Sequence, residues 1–328
     1  MPSAEPLVTV IVPVRDGARY LPSCLAAIEA DPYPPGQREI LVADNGSTDG
    51  SMEIARSLGA RVVSKPGVRV SALRNEAARE AKGDLLAFID VDHRIATGWL
   101  PAALAALSET WVVAAGAPYS SPANPTWVQV MYDAMRDHAG TAAPTRWLGS
   151  GNLVVRKAAF DAINGFDPDL EACEDVDLCR RLRLEGGTLM STPGMVSVHL
   201  GDPRTLGELF RGELWRGRDN LRVSLRAPFS WRDLPSVVVP TIWLAVLALG
   251  IGALLIRSRG LASLAAAGAV LVMAASVLRG AGMIRRAALR GPARWVQALV
   301  VALVYDAARG LSLLGLATHR TRHQAGTA

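Results

Sequence analysis

Three short stretches of this sequence carry side chains that could do chemistry. Asp90-Val91-Asp92 follows an apolar run, and if that run is a strand, carboxylates at i and i+2 point the same way. A hard divalent cation takes such oxygens, with the phosphates of a substrate completing its shell. Glu174-Asp175-Val176-Asp177 places three acids in four positions at the start of a helical pattern. The helix dipole alone favours an acidic first turn. Three acids exceed what a cap needs, however, and a carboxylate there could take a proton from a bound hydroxyl. Asp44-Asn45-Gly46-Ser47-Thr48-Asp49-Gly50 could line a polar ligand, or could serve only as a turn and a helix cap. The Asp90–Asp92 pair taken alone is open to the same capping reading.

The elements that must position these residues lie in the first 200 positions, where apolar β-rich runs alternate with helical patterns. Leu7–Pro13, Ile40–Ala43, Arg61–Val63, Leu85–Ile89 and Trp111–Ala115 read as strands. Between them, Ala18–Ala30, Ser51–Leu58, Ser71–Lys82 and Gly98–Leu107 read as helices. The acidic cluster opens a further helix, through Arg180–Glu185 to a stop at Gly186-Gly187. This alternation predicts a mostly parallel, Rossmann-like α/β sheet, long enough to bury a sizeable core. In such sheets ligands bind beyond the C-terminal strand ends, near the switch in strand order. The first strand ends in Pro13-Val14-Arg15-Asp16-Gly17, the second in Asp44–Gly50, and the fourth in Asp90-Val91-Asp92-His93. Three strand ends therefore converge on one crevice.

The remaining third of the chain has a different character. After Leu234 there are ten Arg and one acid, Asp306; this balance of +9 exceeds the +5 of the whole chain, so the first 234 residues carry −4. A basic excess confined to a greasy C-terminal third suits a membrane protein and argues against a nucleic-acid partner. Leu234–Ile256 and Gly260–Leu278 are free of charge and long enough to cross a bilayer as helices. Trp295–Ala317 is a third candidate span, in which Asp306 and Arg309, three apart, could pair; an interfacial or re-entrant helix is its alternative. The intervening loop holds Arg279, Arg285, Arg286, Arg290 and Arg294, against Arg257 and Arg259 in the other loop. The positive-inside rule then places the N-terminal domain in the cytoplasm, below a multi-pass cell-membrane anchor. Arg204–Arg226 reads as a basic amphipathic helix lying on membrane lipids, with a docked surface helix as the alternative. The expected divisions are thus 1–202, 203–232 and 233–328, with spans near 234–256, 260–278 and 295–317. Three cysteines without CxxC spacing suggest neither disulfides nor a zinc site, and the N-terminus lacks a signal-peptide pattern.

Taken together, VTVIVPVRDG, VADNGSTDGS, RNEAAREAKGDLLAFIDVDHR, GSGNLVVRKAAFDAINGFDPDL and EDVDLCRRLRLEGG resemble the family 2 glycosyltransferases in order and over about residues 7–200. The resemblance implies a GT-A nucleotide-sugar-binding fold, a nucleotide-diphosphate sugar as donor, Mg²⁺ or Mn²⁺ as cofactor, and inversion at the transferred carbon. The C-terminal spans fit the membrane-associated members, whose acceptors are lipid-linked or surface glycans. Carried over residue by residue, Pro13, Arg15, Asp44 and Asn45 would line the nucleotide pocket, with Arg74 or Asp84 on its rim. Asp90 would face the ribose or diphosphate and, with Asp92, the metal. Gly151 and Asn152, within the Gly149–Asn152 loop, would lie near the donor sugar. Asp175 would be the general base, with Glu174 beside it at the acceptor end. His199 could complete the metal site or be merely structural. Asn45 departs from the family's common Asp, and His93 stands where an acid is often found.

Other classes are less well served. A non-catalytic sugar-nucleotide-binding membrane protein would have no need of Asp90, Asp92 and Asp175 together. A nucleotidyltransferase would want a Gly-rich basic loop after the first strand, where Pro13–Gly17 offers one glycine. There is no GxGxxG for a dinucleotide enzyme and no GxSxG for a serine hydrolase.

Overall fold

In a computed structural model the described residues are 6–136, 138, 140–228 and 230–315. The chain divides into two units: residues 1–122 with 138–201, and residues 123–137 with 202–328. The first unit opens as β1 (Val8–Val14), α1 (Leu21–Glu29), β2 (Arg38–Asp44), α2 (Ser51–Ser57), β3 (Arg61–Ser64), α3 (Val70–Glu80) and β4 (Leu85–Ile89). After β5 (His93–Ile95), α4 (Trp99–Ala106) and β6 (Val112–Gly116), the chain leaves to form α5 (Trp127–Asp133) in the second unit. It returns as β7 (Ala143–Thr145), β8 (Asn152–Arg156), α6 (Lys157–Ala162), α7 (Glu174–Leu184), β9 (Thr188–Ser191) and β10 (Ser197–His199).

Eight strands form one sheet in the order β3-β2-β1-β4-β8-β6-β9-β7. The first four are parallel, β8 is antiparallel to both its neighbours, β9 is parallel to β6, and β7 is antiparallel to β9. The central run VTVIVPV is buried throughout because helices cover both faces, as a parallel sheet requires. Alternate residues serve two cores. Val8, Val10, Val12 and Val14 pack with α1 and α4 residues such as Leu25 and Trp99. Ile11, Leu41 and Phe88 pack on the other face with Leu73 of α3 and Leu178 of α7. All five expected strands and all four expected crossover helices are present, and the acidic cluster opens α7. Strands β5, β7, β8, β9 and β10 lie outside the five runs expected from periodicity.

This order puts the switch between β1 and β4. Ile89 of β4 faces Asn152 of the antiparallel β8, so the loop 149–151 enters β8 beside Asp90. Helix α7 precedes a strand parallel to β6, and its N-terminus therefore starts at the same C-terminal edge. A separate two-stranded ladder pairs β5 with β10 antiparallel, with His199 directly opposite His93.

The second unit contains α5, α8 (Leu206–Arg216), α9 (Asn220–Ser224), α10 (Pro235–Ile256), α11 (Arg259–Arg286) and α12 (Pro292–Ser312). The stretch read as one amphipathic helix is broken at Gly217, whose hydrogen approaches the Ser312 side chain so closely that a Cβ would collide. Nor does α8 offer its apolar face to lipid: Leu209 is buried with Val128 and Met131 of α5 and Val301 and Ala302 of α12. Among the described residues, α10 and α11 alone are long and apolar enough to cross a membrane by length and composition. Leu254, Leu255 and Leu278 lie more than 70% exposed, which is a cost in water and none in lipid.

The pairing expected within the third candidate span is corrected by its packing. Asp306 of α12 does not pair with Arg309. It is fully buried against Ser276 (2.9 Å) and Arg279 (2.9 Å) of α11, while Arg309 binds Glu213 of α8 at 2.8 Å. Gly310 packs on Pro240 and Trp243 near the start of α10, and Gly280, near the end of α11, packs on Ala298. From Ala298 to Gly310, α12 therefore packs along the ends of α10 and α11 where that hairpin begins and finishes.

Candidate active site

The loops after β1 and β2 are zipped together by side-chain caps. Ser47 Oγ accepts from the Asp16 amide at 2.9 Å, Asp16 accepts from the Thr48 amide at 2.8 Å, and Asp49 accepts from the Ala18 amide at 2.9 Å. Asp44, fully buried, accepts from the amides of Gly46 (3.0 Å) and Ser47 (3.1 Å). The Asn45 amide group exchanges hydrogen bonds with the Val68 backbone at 2.7 and 3.3 Å. Asp44 and Asn45 therefore shape the loop. Pro13 is buried at the strand end and Arg15 is exposed beside it.

At the end of β4 the site tightens. Arg74 of α3, only 3% exposed in its side chain, binds Asp90 at 2.6 Å and Glu174 at 2.8 Å. Burial, which disfavours its charge, is outweighed by the two carboxylates, and the guanidinium is held above its ordinary pKa. Arg74 is thus no rim residue; it clamps the β4 end to the start of α7. Ser150 adds a hydrogen bond to Glu174 at 3.1 Å. Removing one partner of a buried pair strands the other charges. Arg74→Met is expected to destabilise the protein by about 3–5 kcal/mol, and a melting temperature like that of the wild type would refute the clamp.

Beyond Asp90, the chain brings Asp92, His93 and His199 together, with one ligand atom of each within 4.8 Å of the others and all three buried. The antiparallel register of β5 and β10 makes the histidines neighbours, 4.7 Å between ring centroids. Ser197 Oγ meets His93 Nδ1 at 3.0 Å and turns Nε2 toward Gly151, where a Cβ would lie 3.1 Å from it and 2.7 Å from Asp90 Oδ2. His199 Nε2 lies 3.3 Å from Asp92, and a Cβ at Gly201 would collide with that carboxylate. Two glycines therefore leave room around three converging ligands, a cradle that fits a divalent cation. Two imidazoles with one carboxylate suit Mn²⁺ better than Mg²⁺, which prefers an all-oxygen shell. Asp90 is not one of the three: its Oδ1 binds Arg74, while its Oδ2 faces Gly151 beside His93 Nε2. His93 is the member of this cluster that sequence reasoning left out of the site; its place directly after Asp92 was the available signal.

Asp175 occupies the other side of the site. Cys173, in the left-handed region at φ 59°, turns the chain into α7. Asp175 then accepts from the Val176 amide at 2.8 Å and from the Trp147 indole. Burial, reinforced by the neighbouring Glu174 carboxylate, pushes its pKa up to about 7, the range in which a carboxylate serves as a general base. Asp177 is taken by Arg181 at 2.7 Å.

Two expected donor contacts are not at the site. Asn152 is fully buried; it accepts from Trp99 Nε1 at 2.6 Å and donates to the carbonyls of Ala117 (2.8 Å) and Met195 (3.0 Å). Asp84 precedes β4, at the opposite edge of the sheet, where its carbonyl accepts from the Lys157 amide at 2.9 Å.

Residues 9–160 match the sequence model of Glycosyl transferase family 2. Over that segment the chain is similar to the family 2 glycosyltransferases. Glycosyltransferase AglE of Haloferax volcanii is 28% identical over 246 residues, covering 70% of this chain and 80% of that protein. Validoxylamine A glucosyltransferase of Streptomyces hygroscopicus subsp. limoneus is 28% identical over 57% of this chain, which spans about half of that relative (50%). The mannosyltransferase PcManGT from Pyrobaculum calidifontis, solved with GDP-Man and Mn²⁺, shares the fold at a TM-score of 0.62 and 20% identity, across 94% of this chain and 88% of that one. The GT-A glycosyltransferase fold is thereby shown, and Asp90, Asp92, Gly151 and Asp175 lie at the C-terminal edge of its strands.

Proposed function

We propose that this glycosyltransferase is membrane-anchored and moves a sugar, with inversion, from a nucleotide-diphosphate donor to a lipid-linked or cell-surface glycan acceptor. The observation that carries this reading is the separation of roles around Arg74. On one side lie Asp90 and the Asp92–His93–His199 triplet; on the other, one carboxylate, Asp175, has the raised pKa of a base. A cation held by Asp92, His93 and His199, Mn²⁺ in preference to Mg²⁺, would neutralise the leaving diphosphate. Asp175 would take the proton of the acceptor hydroxyl, and a single base without a second nucleophile supports one direct displacement. Arg15 and Pro13, at the end of β1, are the remaining candidates for the nucleotide side. The test is a donor panel with Mn²⁺ or Mg²⁺ and membrane lipids, followed by NMR of the anomeric linkage. Retained configuration in the product would overturn the single displacement.

Anchoring rests on α10 and α11, whose apolar windows are only 6% and 11% buried. With five Arg between residues 279 and 294, the positive-inside rule puts that loop and the catalytic unit in the cytoplasm. Because α10 and α11 alone among the described residues are long and apolar enough to cross a membrane, the anchor is read as a two-span hairpin. Reporters fused after Arg290 and after Gly315 should both read cytoplasmic, and one fused at Arg257 external. An external reading at Gly315 would restore a third span.

A further inference from the structure

Trp147 combines two properties that a side chain placed for stability alone does not need. Its indole donates to Asp175, yet the residue is 46% exposed. Around the neighbouring Gly149, Tyr119 Cε1, Trp147 Cζ2 and Asp175 Oδ2 lie 3.5, 3.9 and 4.0 Å from where a Cβ would stand. Tyr119 in turn contacts both histidines of the triplet, at 4.8 and 5.0 Å between ring centroids. An aromatic wall therefore runs from the cation cradle to the base and ends in an exposed indole.

A pyranose has an apolar C–H face and a rim of hydroxyls, and a large aromatic face with a polar edge is its complement. A ring lying on Trp147 would have its hydroxyl edge beside Asp175. A lipid phosphate would instead call for an uncommitted cation there. The guanidinium that acts on Asp175 is that of Arg74, which is already committed to Asp90 and Glu174.

We propose that Trp147 positions the acceptor, with its indole N–H orienting Asp175 and its exposed face stacking a sugar ring, so that the acceptor presents a pyranoside rather than a bare lipid phosphate. This rests on the reading of Asp175 as the base. The test uses the full chain in nanodiscs, with methyl β-glucopyranoside, methyl α-mannopyranoside and undecaprenyl phosphate as probes. Trp147→Phe keeps a ring and loses the N–H; Trp147→Leu loses both. Saturation-transfer NMR should show pyranoside binding held within about threefold in Trp147→Phe and weakened about tenfold or more in Trp147→Leu. Donor affinity should be equal in all three proteins. In turnover, Trp147→Phe should lower kcat about tenfold at constant acceptor KM, while Trp147→Leu also raises that KM. Wild-type pyranoside binding by Trp147→Leu would overturn the proposal, as would a loss of donor affinity instead, or transfer to undecaprenyl phosphate without pyranoside binding. Melting temperatures of both variants separate these outcomes from misfolding. If Asp175→Asn kept wild-type turnover, the base assignment would fail while pyranoside binding through Trp147 still stood.

Discussion

Asp175→Asn is expected to cut transfer by roughly 10²–10⁴, the usual contribution of a general base, while leaving donor affinity near normal. The asparagine can still accept from the Val176 amide and the Trp147 indole but cannot take a proton. The pH dependence follows from the same environment. With the pKa raised to about 7 by burial first and Glu174 second, the base is protonated in mild acid. The wild-type rate should therefore rise with pH up to about 7 and then level, and this limb should vanish in the variant. The linkage sign is equally definite. A carboxyl whose folded pKa lies above its unfolded value weakens the fold as pH rises through the interval between them. Asp175→Asn should thus melt at or above the wild-type temperature at neutral pH, as expected of a group kept for chemistry at some cost in stability. Wild-type turnover in a folded, donor-binding variant would move the base elsewhere. Glu174 is a poor successor, because Arg74 and Ser150 both hold its Oε1.

Removing the divalent cation is expected to abolish transfer, and Asp92→Ala, His93→Ala and His199→Ala should each weaken donor binding measured with Mn²⁺ present. The three side chains converge from β5, β10 and the turn before β5, so losing one would leave a site with two, and affinity should fall by one to two orders of magnitude, about what perturbing such a site costs. The imidazole pair also predicts that Mn²⁺ supports turnover better than Mg²⁺ by about tenfold. Asp90→Asn is the informative contrast. Its Oδ1 serves Arg74, so the variant should lose stability or kcat while its metal affinity stays close to that of the wild type. Full activity in excess chelator would remove the cation from the chemistry altogether.

The apolar runs, their spacing and the polar residues that follow them were sufficient to place β1 to β4, β6 and the helices between them. A run buried on both faces and a helix with a 3.6-residue stripe are local properties, written in neighbouring residues. The same holds for α10 and α11, whose length and composition are themselves the signal. For the site, local reading was enough to find Asp90, Asp92 and the acidic start of α7, since a motif at a strand end needs no distant partner to be seen.

Most of the differences share one cause, a partner chosen across the fold. Asp84 was grouped with the site although five residues of β4, about 17 Å of strand, carry it to the far edge. Asn152 sits in the right motif, but its amide is consumed by Trp99, Ala117 and Met195, which come from three other segments. Asp306 and Arg309 have helical pairing distance, yet packing gives Asp306 to Arg279 and Arg309 to Glu213. His93 joins a cluster only because the β5–β10 register sets His199 opposite it, and Arg74 becomes a clamp only because α3 and α7 meet in one core. Sequence by itself determined which elements form and which of their ends are polar, because propensity and periodicity act over a few residues. Tertiary structure decided which of those polar groups remain open for chemistry, because a buried carboxylate or amide must find its partners wherever the packing brings them.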